Sequence, residues 1–173
     1  ATIAQLSYVF FGLGLSVFGS QLAFDGAVCH IFNHAFAKTL FFLVAGSFSF
    51  TLGTRMLPKL RGIVKKYPIS GVGFGVAALA IAGVPPMNTF FSKFQIIAGG
   101  FSAGAQNVAI LVLVCIMVAE TVATFAWFLK WMGYCLPGEP SEEVAAGAPL
   151  PHAMAFVFIV LIIMVIVSGP LSA

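Results

Sequence analysis

Three titratable side chains recur at every fourth position of one apolar stretch: His30, His34 and Lys38. In an α-helix a four-residue step rises about 6 Å and turns about 40° beyond a full turn, so the three side chains share one stripe. Imidazoles exchange protons near neutral pH, and a lysine does so once burial makes its charged form costly. The stripe therefore predicts a path for protons. The alternative is a helix packed through polar hydrogen bonds, which a single buried histidine would indicate.

Two further ionisable residues, Lys93 and Glu120, lie in other apolar stretches. A charge at the centre of a bilayer costs about 2.5–3.5 kcal/mol, so each residue needs a partner, a hydrated cavity or a role. Lys38 lies about 17 Å of helix from either end of its predicted span, beyond the reach of its own side chain. We expect Lys93 to be buried, with a surface anchor as the alternative. We expect Glu120 to be a proton carrier or a static counter-ion, with Lys93 and Lys38 as candidate partners.

The composition of the chain excludes a soluble domain. Of the 173 residues, 61% are apolar and 8% are charged, whereas roughly 25% of residues are charged in a soluble domain. Eight Lys and Arg against five Asp and Glu give a net charge of +3, which argues against a surface that binds nucleic acid. The sequence therefore predicts an integral membrane protein whose surroundings are the lipid bilayer.

The three cysteines argue against a bound metal or redox group. Cys29, Cys115 and Cys135 stand singly in the sequence, with no Cys-x-x-Cys pair among them. An iron–sulfur cluster or a structural zinc site would need such a ligand set. We therefore expect no metal site and no bound cofactor, and the sequence indicates no catalytic residue.

Five apolar stretches approach the length of about 20 residues that a membrane-spanning helix needs. None of them alternates with the two-residue period of a barrel strand. The sequence predicts an all-α membrane protein with about five transmembrane helices, and residues 1–173 form one membrane domain. The predicted spans are residues 3–20, 27–52, 69–100, 108–131 and 153–168.

The third predicted span is too long for one straight helix. Its 32 residues would extend about 48 Å, against a hydrocarbon core of about 30 Å. Gly83, Pro85 and Pro86 interrupt it, because proline removes a backbone donor and restricts the residue before it. We expect one half to end near Ala82 and the other to begin near Thr89, as at the ion sites of transporters. A simple proline kink and a helical hairpin that dips part-way are the alternatives.

The connection between the second and third spans is strongly basic. Lysine and arginine collect in cytoplasmic loops, so residues 53–68 are predicted to be a basic cytoplasmic loop; an anionic-lipid site is the alternative. Alternation then makes residues 134–151 a second cytoplasmic loop, in which we expect the glutamates to be solvated. The opposite, non-cytoplasmic side is predicted to hold two turns: residues 21–26, which contain Asp25, and residues near 102–107. The basic residues are Arg55, Lys59, Arg61, Lys65 and Lys66.

Three motifs resemble those of antiporter-like membrane subunits. Residues 27–50 resemble the family pattern His-x3-His-Ala-Phe-x-Lys-x-Leu-Leu-Phe-Leu, and residues 3–8 resemble the start of the preceding span. Residues 80–94, with Gly-Val-Pro-Pro and Phe-Phe-Ser-Lys, resemble the family's second broken helix and its lysine. The family comprises proton-pumping subunits of respiratory complex I, multisubunit sodium/proton antiporters and membrane-bound hydrogenases. Residues 125–131 and 137–142 look most similar to component D of hydrogenase-4.

The resemblance implies a longer protein built from two inverted repeats, each with a broken helix. The chain begins inside an apolar run with Ala1 rather than Met, and we expect it to be the C-terminal portion, the second-repeat half. The resemblance places the His30, His34 and Lys38 stripe on a central hydrated axis and Lys93 at the terminal group of a half-channel. Glu120 is not part of the general family pattern.

The resemblance also implies a function. We expect a proton-translocating subunit of a redox-driven complex of the hydrogenase-4 or NADH-quinone oxidoreductase type, with no redox centre of its own. Its partners would be the other membrane subunits of a hydrogenase or complex I-like assembly, and its location the bacterial inner membrane, which it crosses several times. The alternative is a stand-alone or Mrp-like sodium/proton antiporter subunit. A third possibility is a membrane anchor whose buried charges are static pairs.

Overall fold

A computed structural model describes residues 2–171 of the chain, and these residues are mostly helical. No strand occurs between residues 2 and 171, which confirms the predicted all-α class. A 3₁₀ turn, Leu57–Leu60, precedes the third helix. The helices are α1 (Thr2–Ser16), α2 (Gln21–Leu52), α3 (Ile63–Lys66), α4 (Pro68–Ala82), α5 (Asn88–Gly104), α6 (Val108–Cys135), α7 (Glu142–Ala146) and α8 (His152–Leu171).

Three of these helices, α2, α6 and α8, are long and apolar enough to cross a membrane. Helices α1 and α4 are shorter apolar helices, and α4 and α5 together occupy the predicted third span. Large apolar side chains such as Phe10, Phe42 and Ile116 point outward along this bundle. An apolar exterior of this extent suits lipid rather than water. The chain is a multi-pass membrane protein.

The predicted break in the third span is confirmed. Helix α4 ends at Ala82, followed by Gly83 in the left-handed conformation (φ 82°), and α5 begins at Asn88. The intervening turn contains Pro85 and Pro86, which are joined by a cis peptide bond. Glycine tolerates a positive φ that other residues rarely adopt, so Gly83 ends α4 where proline prevents the helix from continuing.

The two halves of the broken span follow one another along α2. Gly73 of α4 lies against Val44, near the C-terminal end of α2, whereas Gly26, near its N-terminal end, lies against Ile96 of α5. A hairpin would instead bring α4 and α5 side by side along their length, and these two helices contact each other little. The hairpin alternative is therefore wrong.

Glycines let the helices around α5 approach closely. A Cβ added at Gly26 would lie 2.9 Å from the backbone nitrogen of Ile96, and one added at Gly12 would lie 2.7 Å from the carbonyl oxygen of Ala23. Small residues at crossing points are typical of membrane helices, where packing replaces the hydrophobic drive for association. The α1–α2–α5 contact is thus close enough to bring polar side chains from all three helices together.

The predicted turn at residues 21–26 is wrong. These residues form the first turns of α2, and the side chain of Ser20 caps the helix by accepting a hydrogen bond from the backbone nitrogen of Ala23. Asp25 lies on the helix and accepts a hydrogen bond of 2.8 Å from Gln21, one turn earlier. The chain reverses instead at residues 17–20, where Gly19 has φ 79°.

The two predicted cytoplasmic loops lie at the same end of the bundle. Lys59 forms an ion pair of 2.9 Å with Glu143, and Lys65 pairs with Glu139. Residues 53–68 contain the 3₁₀ turn and α3, and residues 134–151 contain the end of α6 and the whole of α7. The expectation that these glutamates are merely solvated is wrong for Glu139 and Glu143, because the basic segment folds against them.

Candidate functional site

Helix α2 presents its titratable side chains on one face, as the four-residue spacing predicts. His30 is fully buried, and its ring stacks on that of His34 with centroids 5.8 Å apart and planes 7° apart. Lys38 is half-buried, one turn further along, with its Nζ 5.0 Å from the ring centroid of Phe42. The face runs from the buried centre of the bundle to a partly open flank.

His30 is held by two polar side chains from neighbouring helices. Its Nε2 lies 3.1 Å from Oε1 of Gln5 on α1, and its Nδ1 lies 2.9 Å from Oγ of Ser92 on α5. Because an amide oxygen only accepts, Nε2 carries the hydrogen and donates it to Gln5. The Ser92 hydroxyl then donates to Nδ1 when the imidazole is neutral.

Lys93 lies in the second turn of α5, directly after the helix break. Its side chain is 2% exposed, which confirms the expectation that it is buried. The Nζ atom donates a hydrogen bond of 3.1 Å to the carbonyl oxygen of Ile81, in the last turn of α4. Carbonyls at a helix C-terminus carry a partial negative charge that favours a cation. Gly83 leaves the space for this side chain, since a Cβ there would lie 2.9 Å from Cδ of Lys93.

Tyr8 of α1 is the site residue that sequence reasoning missed. It is fully buried, and Nζ of Lys93 lies 4.6 Å from the centroid of its ring. The same ring lies 5.8 Å from that of His30. The available signal was its spacing from Gln5: residues three apart share a helix face, and two polar groups on one face of an apolar helix indicate a buried partner.

Glu120 of α6 pairs with hydroxyl groups rather than with a lysine. Its Oε2 lies 2.6 Å from the hydroxyl of Tyr8, and its Oε1 accepts a hydrogen bond of 2.5 Å from Thr124. Within residues 2–171 no lysine nitrogen lies within ion-pair distance of Glu120. The expected direct partnership with Lys93 or Lys38 is therefore wrong: the Tyr8 ring contacts Lys93 while its hydroxyl contacts Glu120.

A groove beside α6 brings Lys38 and Glu120 to a common surface. Its volume is about 580 Å³, and both residues line it together with Thr124 and Trp127. Both titratable groups are half-buried. Glu120 is therefore the point where the buried cluster around Tyr8 meets the open flank that contains Lys38.

Polar side chains hydrogen-bond to backbone carbonyls on both sides of the helix break. Asn33 of α2 donates to the carbonyl oxygen of Asn88 (3.1 Å), and Asn88 donates to that of Asn33 (2.9 Å) and to Oγ of Ser168 (3.1 Å). The hydroxyl of Thr89 donates to the carbonyl of Ala80. Irregular backbone at membrane depth survives only with such partners, so α2, α5 and α8 are fastened together at the break.

Metal-binding clusters are not found among the described side chains. No group of three or more His, Cys, Asp and Glu residues between positions 2 and 171 is placed to hold a metal ion. Cys29, Cys115 and Cys135 are all free thiols. The titratable groups of the site are His30, His34, Lys38, Lys93 and Glu120, and side chains of these types can bind and release protons.

Comparison with known proteins gives matches over most of the chain. It is 34% identical over 152 residues to the N-type subunit of the NADH-quinone oxidoreductase of Desulforudis audaxviator, covering 87% of this chain and 29% of the relative. It is 28% identical over 153 residues to the D-type subunit of the Na⁺/H⁺ antiporter of Bacillus subtilis, covering 88% of this chain and 30% of that protein. The chain thus spans about a third of the length of these relatives.

A solved structure shows the same fold. A chain of the Mrp complex from Dietzia sp. DQ12-45-1b superposes with a TM-score of 0.80 at 22% identity, over 96% of this chain and 38% of that one. These comparisons do not show the predicted likeness to hydrogenase-4 specifically. The family model described as NADH:quinone oxidoreductase/Mrp antiporter, transmembrane, matches residues 1–119. Since that match covers well over half of the sequence, this chain belongs to the NADH:quinone oxidoreductase/Mrp antiporter family of membrane subunits.

Proposed function

We propose that this chain is the C-terminal, ion-translocating portion of an antiporter-like subunit, and that protons move along its buried polar side chains. The observation that carries the proposal is Lys93, 2% exposed, beside an interrupted helix. Burying an amine at such a break costs free energy, so its presence there indicates a functional role. The proposed proton-carrying residues are His30, His34, Lys38, Lys93 and Glu120.

The surroundings of His30 support proton exchange. In the neutral ring, Nε2 donates to Gln5 and Nδ1 accepts from Ser92. In the protonated ring, Nδ1 donates to Ser92, whose own hydroxyl can turn to the carbonyl oxygen of Thr89, 3.2 Å away. Both charge states therefore satisfy every hydrogen bond of the ring without movement of heavy atoms. An imidazole in this setting gains and loses a proton at little structural cost.

The stacked rings of His30 and His34 make the proposed proton path continuous along α2. His34 follows His30 at ring contact, and Lys38 follows one turn later beside the groove. Protonation of one member raises the cost of charging the next, because like charges this close repel in a low-dielectric interior. A proton that enters at one end therefore favours release at the other.

The parent assembly is proposed to be a redox-driven complex of the NADH-quinone oxidoreductase type or its hydrogenase-4 relative. The relative from Desulforudis audaxviator belongs to such an oxidoreductase. Electron transfer would then occur in partner subunits, and this chain would lie in the bacterial inner membrane with residues 53–68 and 134–151 in the cytoplasm. The similarity to the antiporter protein from Bacillus subtilis favours a second candidate, a sodium/proton antiporter subunit.

Proton movement is the direct test. The full-length protein in its complex would be reconstituted in proteoliposomes, with Lys38→Ala and Lys93→Ala as variants. Each variant is expected to lose at least tenfold in transport rate, about 1.4 kcal/mol of barrier. The matched control is Lys130→Ala, which removes an exposed lysine of α6. Wild-type transport in both site variants would contradict the proposal.

Two further outcomes separate the candidates. Transport driven by an electron donor and acceptor would support the redox-driven complex, and transport driven by a sodium gradient alone would support the antiporter. If Glu120→Gln lowers the yield of assembled complex, but the complex that does assemble transports protons at the wild-type rate, the charge of Glu120 is structural, as in the membrane-anchor alternative.

A further inference from the structure

Tyr8 meets two opposite charges with two different parts of its side chain. The ammonium of Lys93 lies over the ring face, 4.6 Å from the centroid, and the carboxylate of Glu120 lies 2.6 Å from the hydroxyl. The face of an aromatic ring attracts a cation, and a phenol donates a strong hydrogen bond to a carboxylate. One fully buried side chain thus stands between the two charges that the sequence suggested would pair directly.

The hydroxyl of Tyr8 has more acceptors than it has hydrogens. Besides Glu120, it lies 2.7 Å from the carbonyl oxygen of Met117 and 2.5 Å from Oγ1 of Thr121. A phenol has one hydrogen to donate and can also accept. The environment therefore allows the hydroxyl to take either of two orientations with its ring in place.

The two orientations match two protonation states of Glu120. When Glu120 is a carboxylate, Tyr8 donates its hydrogen to Oε2. When Oε2 carries a proton, Glu120 donates to the Tyr8 oxygen, and Tyr8 donates onward to the carbonyl of Met117. In both states Thr124 donates to Oε1. The carboxyl group can therefore change its charge with all of its heavy atoms in place.

We propose that Tyr8 is a positioning residue that couples the charge of Lys93 to the charge of Glu120. In one state Lys93 is an ammonium and Glu120 a carboxylate; in the other Lys93 is a neutral amine and Glu120 a carboxylic acid. Both states hold the same number of protons and have zero net charge. When Lys93 gives up a proton, Glu120 binds one, so the pair formed by Lys93 and Glu120 stays neutral in both states.

Few other titratable groups face this cluster. His30 of α2 contacts the Tyr8 ring, and His34 stacks on His30 within electrostatic reach of Lys93. Lys38 of α2 lines the groove that Glu120 also lines. The sequence of α4 contains no titratable residue, and in α8 the titratable residue is His152, at the opposite end from the break. Of the two lysines, Lys93 is the one that contacts Tyr8 and interacts electrostatically with Glu120, so it is the cation whose loss Glu120 has to compensate.

Infrared spectroscopy of the full-length protein at pH 7 tests the coupling without a transport assay. In Lys93→Gln we expect a carbonyl band of a protonated carboxyl group that the wild type lacks. That band should vanish in Lys93→Gln/Glu120→Gln, which assigns it to Glu120. In Lys93→Gln/Tyr8→Phe the band should shift, because the acid has lost the oxygen to which it donates. Lys93→Arg keeps the cation and is expected to show no band.

The outcomes decide the inference separately from the proposed function, on which it rests. No Glu120 band in Lys93→Gln, or a band that Tyr8→Phe leaves in place, would overturn the coupling even if the wild type pumps protons.

If Lys93→Gln does not fold, Tyr8→Phe alone provides the second test. It keeps the ring under the ammonium and is expected to lower transport at least tenfold, whereas Tyr134→Phe, the same change at an exposed position of α6, leaves it unchanged. Equal rates in the two variants would reject the inference.

Discussion

At the level of single residues, hydroxyl groups flank two titratable side chains of the candidate site, His30 and Glu120. Ser92 lies beside His30, and Tyr8 and Thr124 lie beside Glu120. A hydroxyl can rotate and serve as donor or acceptor, so it follows a change of charge that a fixed amide or carbonyl would resist. A search of the sequence for charged residues does not find these hydroxyl groups, yet they determine whether a buried ionisable group can exchange its proton.

The variant Ser92→Ala tests whether a neighbouring hydroxyl group allows His30 to exchange its proton. In this variant the protonated His30 ring loses the acceptor for Nδ1, and the neutral ring loses the donor to Nδ1. Either way a buried polar atom is left unsatisfied, at a cost of about 1–3 kcal/mol. We expect a lower melting temperature and a clearly slower proton transport. The control is Ser7→Ala, which removes an exposed hydroxyl bonded to the carbonyl of Ile3. Transport equal to that of the control would show that Ser92 does not serve His30.

At the level of elements, the helix break could be predicted from sequence, and the contacts across the bundle could not. The break depends on Gly83, Pro85 and Pro86, whose effect on the backbone is local. The contact between Tyr8 and Glu120 joins residues 112 positions apart, and no pattern within one helix encodes it. The turn predicted at residues 21–26 is wrong because Ser20 caps a helix that begins at Gln21 and continues through Asp25 and Gly26; the cap at Ser20 was the signal to use.

Gly83→Ala tests how the break positions Lys93. Alanine at φ 82° costs about 1–2 kcal/mol, and its Cβ would also lie 2.9 Å from Cδ of Lys93. We expect lower stability and a loss of proton transport. Gly53→Ala is the matched control, because Gly53 also ends a helix with a positive φ (68°) but has open space around its Cα. Both variants should lose stability through the positive φ, Gly83→Ala more because its Cβ also meets Lys93, and only Gly83→Ala should impair transport. Equal impairment would mean that backbone strain alone is responsible.

At the scale of the whole molecule, one end of the bundle is closed by the pairing of its two connecting segments. Lys66 donates to the carbonyl oxygens of Ala145 and Gly147, at 2.6 and 2.7 Å, in addition to the two lysine–glutamate pairs. The basic segment is thus largely engaged within the protein, which weakens its alternative interpretation as a lipid site. The pairing also holds α7 against the end of the bundle where α4 begins. It thereby supports α4, and the Ile81 carbonyl in the last turn of α4 accepts the hydrogen bond from Lys93.

This closure should depend on pH in a defined direction. The hydrogen bond from Lys59 lowers the pKa of Glu143, and that from Lys65 lowers the pKa of Glu139. A carboxyl group whose folded pKa is depressed stabilises the fold above its unfolded pKa, and the contribution is lost as the pH falls through the folded value. At neutral pH the two pairs therefore contribute to the closure, and their contribution should be lost only in acid, below the ordinary carboxyl range.

Glu143→Gln should reproduce the acid state at pH 7. The amide cannot form the charged pair with Lys59, so the backbone amides of residues 142–146 should exchange with deuterium faster than in the wild type. Glu142→Gln is the matched control, because it makes the same change in the same helical turn on an exposed side chain. On acidification, after correction for intrinsic exchange, the wild type should approach the rate of Glu143→Gln. If the two variants exchange alike, the ion pair does not hold this end of the bundle closed, and the hydrogen bonds of Lys66 to the loop carbonyls account for its order.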